Sequence, residues 1–70
     1  MKIIFSKHAE ENLKVRKIDM TEVMEVIKFP DKITKRKGKH IFTKTAHRGT
    51  IEIVAERTER YLRIVTLYWL

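Results

Sequence analysis

The spacing of apolar residues changes at Phe29-Pro30, and that change limits what this chain can become. Ahead of it, Met20, Val23, Met24 and Ile27 recur at i, i+3, i+4 and i+7, which is one face of an α-helix. Proline disfavours helical geometry in the residue before it, so the helix must stop there. Beyond Pro30 the period is two. Ile41, Thr43 and Thr45 alternate with Phe42 and Lys44, and Ile51, Ile53 and Ala55 alternate with Glu52, Val54 and Glu56. A chain with helices first and alternating strands after them is expected to be α+β, with the helices gathered on one face of an antiparallel sheet.

The remaining punctuation fills in that plan. Lys2 to Phe5 reads as a short first strand or an extended lead-in. Ser6 is placed to cap a helix that ends near Lys17, with Glu10 and Lys14 paired i,i+4 along it. Asp19, followed three residues on by Glu22, is a capping-box start for the second helix. Lys32 to Lys37 is a strand whose only large apolar residue is Ile33, which suits an edge. Turns fall at Gly38, at Arg48-Gly49 and around Thr58-Glu59-Arg60. The final segment, Tyr61 to Trp69, is apolar on both faces at Ile64-Val65-Thr66-Leu67. It belongs centrally in the sheet or under the helices. The expected fold is a single domain over 1–70, with two N-terminal helices packed on one face of an antiparallel, four- to five-stranded meander.

With 70 residues the core is small, and a deep substrate cavity would compete with it for the same side chains. A shallow surface site, or one shared with a partner, is the expectation. The chain has no cysteine, so neither a disulfide nor a Cys-based zinc site can form. The opening MKIIFSKH offers an apolar run too short for a signal peptide or a membrane span, which points to the cytoplasm. The balance of 16 Lys+Arg against 9 Asp+Glu gives a formal charge of +7. Such an excess favours polyanionic partners, nucleic acid ahead of an acidic protein. With 36% charged residues, no glutamine and Asn12 as the lone asparagine, the composition also suits a thermophile.

His8, Asn12 and Arg16 follow one another at four-residue spacing in the first helix and advance by roughly 40° per step. They form a slanted ridge along the rim of the core. His8 and Arg16 each have a structural reading beside a functional one, and Asn12 reads as a structural or exposed amide. Arg16 suits the last carbonyls of its helix, and His8 can tie the helix start to the sheet. Arg63 interrupts an apolar strand and needs a partner such as Glu52 or Glu56, or a ligand. The run Lys35-Arg36-Lys37-Gly38-Lys39-His40 is the densest cationic cluster. It can guard an edge strand or hold phosphates. Tyr68 and Trp69 can stack on bases or complete the core. No spacing among His8, His40 and His47 matches a metal motif, there is no glycine-rich phosphate loop, and no cofactor is implied.

Several of these residues also carry a resemblance. Ser6-Lys7-His8-Ala9-Glu10-Glu11, then Leu13, Arg16 and Ile18, Glu22-Val23, Val26-Ile27, Pro30-Asp31-Lys32-Ile33 and the closing Val65-Thr66-Leu67-Tyr68-Trp69 resemble the small "domain of unknown function 4258" family. Many of its members have an arginine where this chain has Asn12 and a glycine where it has Lys17. That family is similar in architecture to the RelE- and BrnT-type toxins, small basic α+β proteins that cut RNA without a metal. The resemblance implies a metal-independent endoribonuclease of toxin–antitoxin type, with an acidic antitoxin as partner. On that reading His8 transfers the proton, and Arg16 and Arg63 steady phosphate charge. Lys35, Arg36, Lys37, Lys39 and His40 dock the RNA backbone. Two alternatives stand beside it. One is a non-catalytic RNA- or protein-binding module of the same fold. The other is an accessory that forms a homo-oligomer through its C-terminal strand, ending at Leu70.

Overall fold

Polar side chains start both helices. In the computed structural model, which describes residues 2–70, β1 (Lys2–Phe5) leads into Ser6, whose Oγ accepts the Ala9 N–H at 3.0 Å and opens α1 (Lys7–Val15). Asp19 opens α2 (Met20–Lys28) with a complete capping box: its Oδ1 accepts from Glu22 N–H at 2.9 Å, and Glu22 Oε1 accepts from Asp19 N–H at 3.1 Å. Such a cap contributes about 1 kcal/mol.

Helix α1 ends at Val15, short of the expected Lys17. The chain closes it by turning Lys17 to φ 53°, so that Lys17 N–H reaches Lys14 O at 3.3 Å and Ile18 N–H reaches Leu13 O at 3.0 Å. This is a Schellman closure, with lysine at the left-handed position that favours glycine. Ile18 is thereby turned into the core. In α2 the packed direction runs through Val23 and Val26, not through the expected Met20. At ~100° per residue Met20 lies about 90° from that direction, and it remains 49% exposed.

The sheet-forming segments are β2 (Lys32–Arg36), β3 (Lys39–Ala46), β4 (Gly49–Arg57) and β5 (Tyr61–Trp69). They form the expected antiparallel meander, with β2 at its free edge, in a five-stranded sheet ordered β1-β5-β4-β3-β2. The sheet is mixed, however, because β1 joins β5 in parallel. Parallel neighbours need a long crossover, and here the helices and the whole meander supply it. The hairpin from β2 to β3 turns on Lys37 and Gly38, both at positive φ, 51° and 78°, the geometry that matches strand twist in a two-residue loop.

Ala9, Val23 and Val26 of the helices, with Ile18 from the connection between them, pack onto Phe42, Ile51, Ile53, Ala55, Leu62, Ile64 and Leu67 of the sheet. A polar latch closes one end of this core. Trp69 Nε1 donates to Arg16 O at 2.7 Å, and the Arg48 guanidinium lies 5.0 Å above the Trp69 ring. Arg48 also donates to Lys17 O and pairs with Glu22 at 3.4 Å. A left-handed lysine costs on the order of 1 kcal/mol relative to glycine. Lys17→Gly should therefore stabilise the protein by about 1 kcal/mol and raise its melting temperature by about 4–8 °C, read by calorimetry.

Candidate nucleic-acid interface

Strict alternation along β5 would send Thr66 and Tyr68 into the core after Leu62 and Ile64. The structure avoids this with a bulge. Val54 pairs with Thr66 and Ala55 with Ile64, which leaves Val65 without a cross-strand partner. The extra residue re-phases the strand. Leu67 is buried on the helix side, and Thr66 and Tyr68 join Arg63 on the face that no helix covers. The main chain around the bulge is held by Ser6. Ser6 Oγ donates to Val65 O at 2.8 Å, and Ser6 N–H donates to Ile64 O at 2.9 Å. The residue that caps α1 thus also anchors that helix to the bulge.

Register places three polar rows across the uncovered face. Lys32, Thr43, Glu52 and Tyr68 form one; Thr34, Ile41, Val54 and Thr66 form the next. Arg36, Lys39, Glu56 and Arg63 form the third. In that third row Glu56 sits between two cations, 2.9 Å from Arg63 Nη1 and 3.5 Å from Lys39 Nζ, with all three side chains about two-fifths exposed. In the first row Tyr68 OH donates to Glu52 Oε2, and Thr43 Oγ1 donates to Glu52 Oε1 at 3.3 Å. Between these rows lies a shallow cavity of about 150 Å³, lined by Lys32, Thr34, Arg36, Ile41, Thr43 and Glu52. At the rim, the buried Asn12 donates from Nδ2 to Thr66 Oγ1 at 2.9 Å and lies 3.4 Å from His8 Nε2.

The residues expected from sequence are distributed unevenly over this surface. His8 is exposed and joined to it through Asn12 and Thr66. Arg63 has the Glu56 partner that a charge in an apolar strand requires. Arg16 stands beside Trp69, and it is its carbonyl that bonds there. Arg16 and Arg63 therefore mark opposite ends of β5, roughly 20 Å of strand apart. The cationic run divides by alternation. Arg36 and Lys39 face the open side, and Lys35 and His40 share the helix-side row with Ala55. Lys37 is in the turn. The His40 ring is stacked toward Phe42 with centroids 6.5 Å apart, and its Nδ1 is buried without a partner. Sequence reasoning missed Lys32 and Thr43, offered Glu52 only as a partner for Arg63, and did not bring in Thr66 or Tyr68 beside them. The signal for the last two was the step from Leu62 and Ile64 to Leu67 and Trp69, which skips a residue.

Among the described residues no three His, Cys, Asp or Glu side chains gather to hold a metal, and no helix is long and apolar enough to cross a membrane.

The Tyr68 phenol is raised above its ordinary value of 10.0, first by its hydrogen bond to Glu52, then by burial and by the Glu52 charge; Arg36 acts in the opposite direction. A raised phenol contributes stability that is complete below pH ~10 and is lost as pH climbs through the folded-state value. NMR titration of the Tyr68 ring carbon should show ionisation later than in a free tyrosine. Glu52→Gln should move it back down.

The family described as "Domain of unknown function (DUF4258)" matches over residues 5–69. No curated protein and no solved structure matches the chain. The match spans nearly the whole of both layers and includes every residue of the three rows, and the chain belongs to the DUF4258 family.

Proposed function

We propose that this chain is an RNA-directed protein of RelE/BrnT-like architecture, which lays a ribose-phosphate strand across the uncovered face of its sheet and cleaves it without a metal. The supporting observation is the placement of Lys32, Arg36, Lys39 and Arg63 on one open face of a protein of charge +7. Cations on a flat, water-exposed sheet attract a polyanion by counterion release and contribute affinity without reading sequence. A site of this kind suits a cytoplasmic protein.

The cleavage step is assigned to His8, an exposed imidazole held at the rim of that face. Imidazole titrates near neutrality and suits removal of a 2′-hydroxyl proton. The freed oxygen attacks the adjacent phosphorus and forms a 2′,3′-cyclic phosphate as the P–O5′ bond breaks, and the 5′-oxygen takes a proton from water and leaves as a hydroxyl. Arg63 steadies the charge on phosphorus through its forked donors. Arg16, at the far end of β5, is better suited to hold a flanking phosphate than the reacting one. Lys35, Lys37 and His40 lie off the open face or at its margin and extend the positive field.

One observation favours a second reading, a non-catalytic module with a protein partner. Phe29 and Ile33, 68% and 54% exposed, flank the start of the edge strand β2. An acidic partner such as an antitoxin would cover them and complete the sheet.

The readings separate by experiment. Anisotropy with a labelled single-stranded oligoribonucleotide should give log K falling with log salt at a slope of about −2 to −3, as expected for three or four phosphate contacts. Arg36→Ala should reduce that slope. Affinity that ignores salt would sink the RNA reading. In excess chelator the protein should cut RNA to cyclic-phosphate ends. His8→Ala should lower that rate by about 10²- to 10⁴-fold at unchanged melting temperature. Salt-dependent binding with no cutting would leave only the non-catalytic module.

A further inference from the structure

Glu52 is a carboxylate in the wrong place for simple phosphate binding. It lines the cavity that Lys32 and Arg36 make cationic, where its charge repels a phosphate. The ion pairs among the described residues engage Glu22, Asp31 and Glu56 with lysine or arginine, and none engages Glu52. Glu52 is held instead by two neutral hydroxyls, those of Tyr68 and Thr43, one on each oxygen. An ionised carboxylate has about four lone-pair sites. With Tyr68 and Thr43 engaging both oxygens, each oxygen keeps room for one more donor. This is an acceptor fixed in position and left incomplete.

We propose that Glu52 accepts a hydrogen bond from the ribose 2′-hydroxyl and makes this face select RNA over DNA. The inference rests on the RNA reading above and deepens it. The groups around the cavity fit a ribonucleotide unit: ammonium and guanidinium for phosphate oxygens, Ile41 as an apolar floor, and the carboxylate for a donor next to the phosphate. The 2′-hydroxyl is the one donor that distinguishes an RNA backbone from a DNA backbone. A deoxyribose leaves the carboxylate unsatisfied beside a phosphate, so the discrimination is partly a penalty against the wrong strand. Tyr68 and Thr43 are positioning residues. They aim the carboxylate and satisfy half of its capacity, which limits the cost of placing it there.

The test compares one sequence in three chemistries, ribose, 2′-deoxyribose and 2′-O-methyl ribose, by anisotropy at fixed low salt. In the His8→Ala form, which leaves the ribo strand uncut and Glu52 intact, the protein should bind the ribo strand about 10-fold or more tightly than either of the others, the ratio for one hydrogen bond to a charged group. The 2′-O-methyl strand keeps the acceptor but lacks the donor, so it should behave as DNA does. Glu52→Ala should abolish the ratio, by weakening the ribo strand relative to the other two. Glu52→Gln keeps the side-chain shape and should shrink the ratio in the same direction, which covers the case in which the alanine variant fails to fold. Equal affinity of this Glu52-intact protein for the three strands overturns the assignment of Glu52 and leaves the face a general single-strand binder. Failure to bind any of them at low salt overturns the RNA reading itself. A ratio that survives Glu52→Gln and Glu52→Ala also overturns this inference, because the 2′-hydroxyl is then read elsewhere.

Discussion

The extra residue at Val65 is the constraint on which the two sides of this sheet depend. Without it, β5 would turn the hydroxyls of Thr66 and Tyr68 into the helix-covered core and expose Leu67. Each buried, unpaired hydroxyl would cost on the order of 1–3 kcal/mol. With the bulge in place, Leu67 is fully buried, the Tyr68 hydroxyl reaches Glu52 on the open side, and the Thr66 hydroxyl reaches Asn12 at its rim. The helix layer and the bulge also fix each other. Ser6 binds the Val65 carbonyl and the first turn of α1, and Asn12, further along that helix, binds Thr66. Neither α1 nor the second half of β5 can shift without breaking the other's hydrogen bonds.

The open face is balanced rather than uniformly positive. Glu56 ties Arg63 and Lys39 together at a level of exposure where ion pairs contribute little to stability, about 0–1 kcal/mol. Its effect is geometric: the Arg63 and Lys39 side chains are drawn toward one carboxylate on the open face and stay partly exposed there. The other end of the molecule uses its charges differently. Arg48 is committed to the Trp69 ring, to Glu22 and to the Lys17 carbonyl. Of the two arginines near that end, one is a structural clasp and the other, Arg16, keeps its guanidinium in water.

What the sequence discloses here follows the range of the interaction. Ser6 and the Asp19–Glu22 box are readable because a cap acts within one turn. The edge position of β2 is readable because Ile33 is its sole large apolar residue, and the period-two strands because alternation is local. The need of Arg63 for a carboxylate is also legible, since a charge in an apolar strand must be answered. The parallel union of β1 with β5, the convergence of Thr43, Glu52 and Tyr68, and the division of the cationic run between two faces all depend on register between strands. Nothing within any one strand encodes them. The bulge falls between these cases. Its trace is the broken alternation after Ile64, which reads equally well as a strand buried on both sides.

The pairing of β1 with β5 also sets an order of events. Ser6 and Val65, which meet through one hydrogen bond, are 59 positions apart along the chain. Contacts of that separation form late, because the loop must close before they contribute. Until Tyr61–Trp69 docks, α1 lacks the strand it leans on, Asn12 lacks Thr66, and Glu52 lacks Tyr68. A half-folded chain therefore has its positive charge from the outset but not the framework that orders it, and the open face takes its final form only when the two ends of the fold have met.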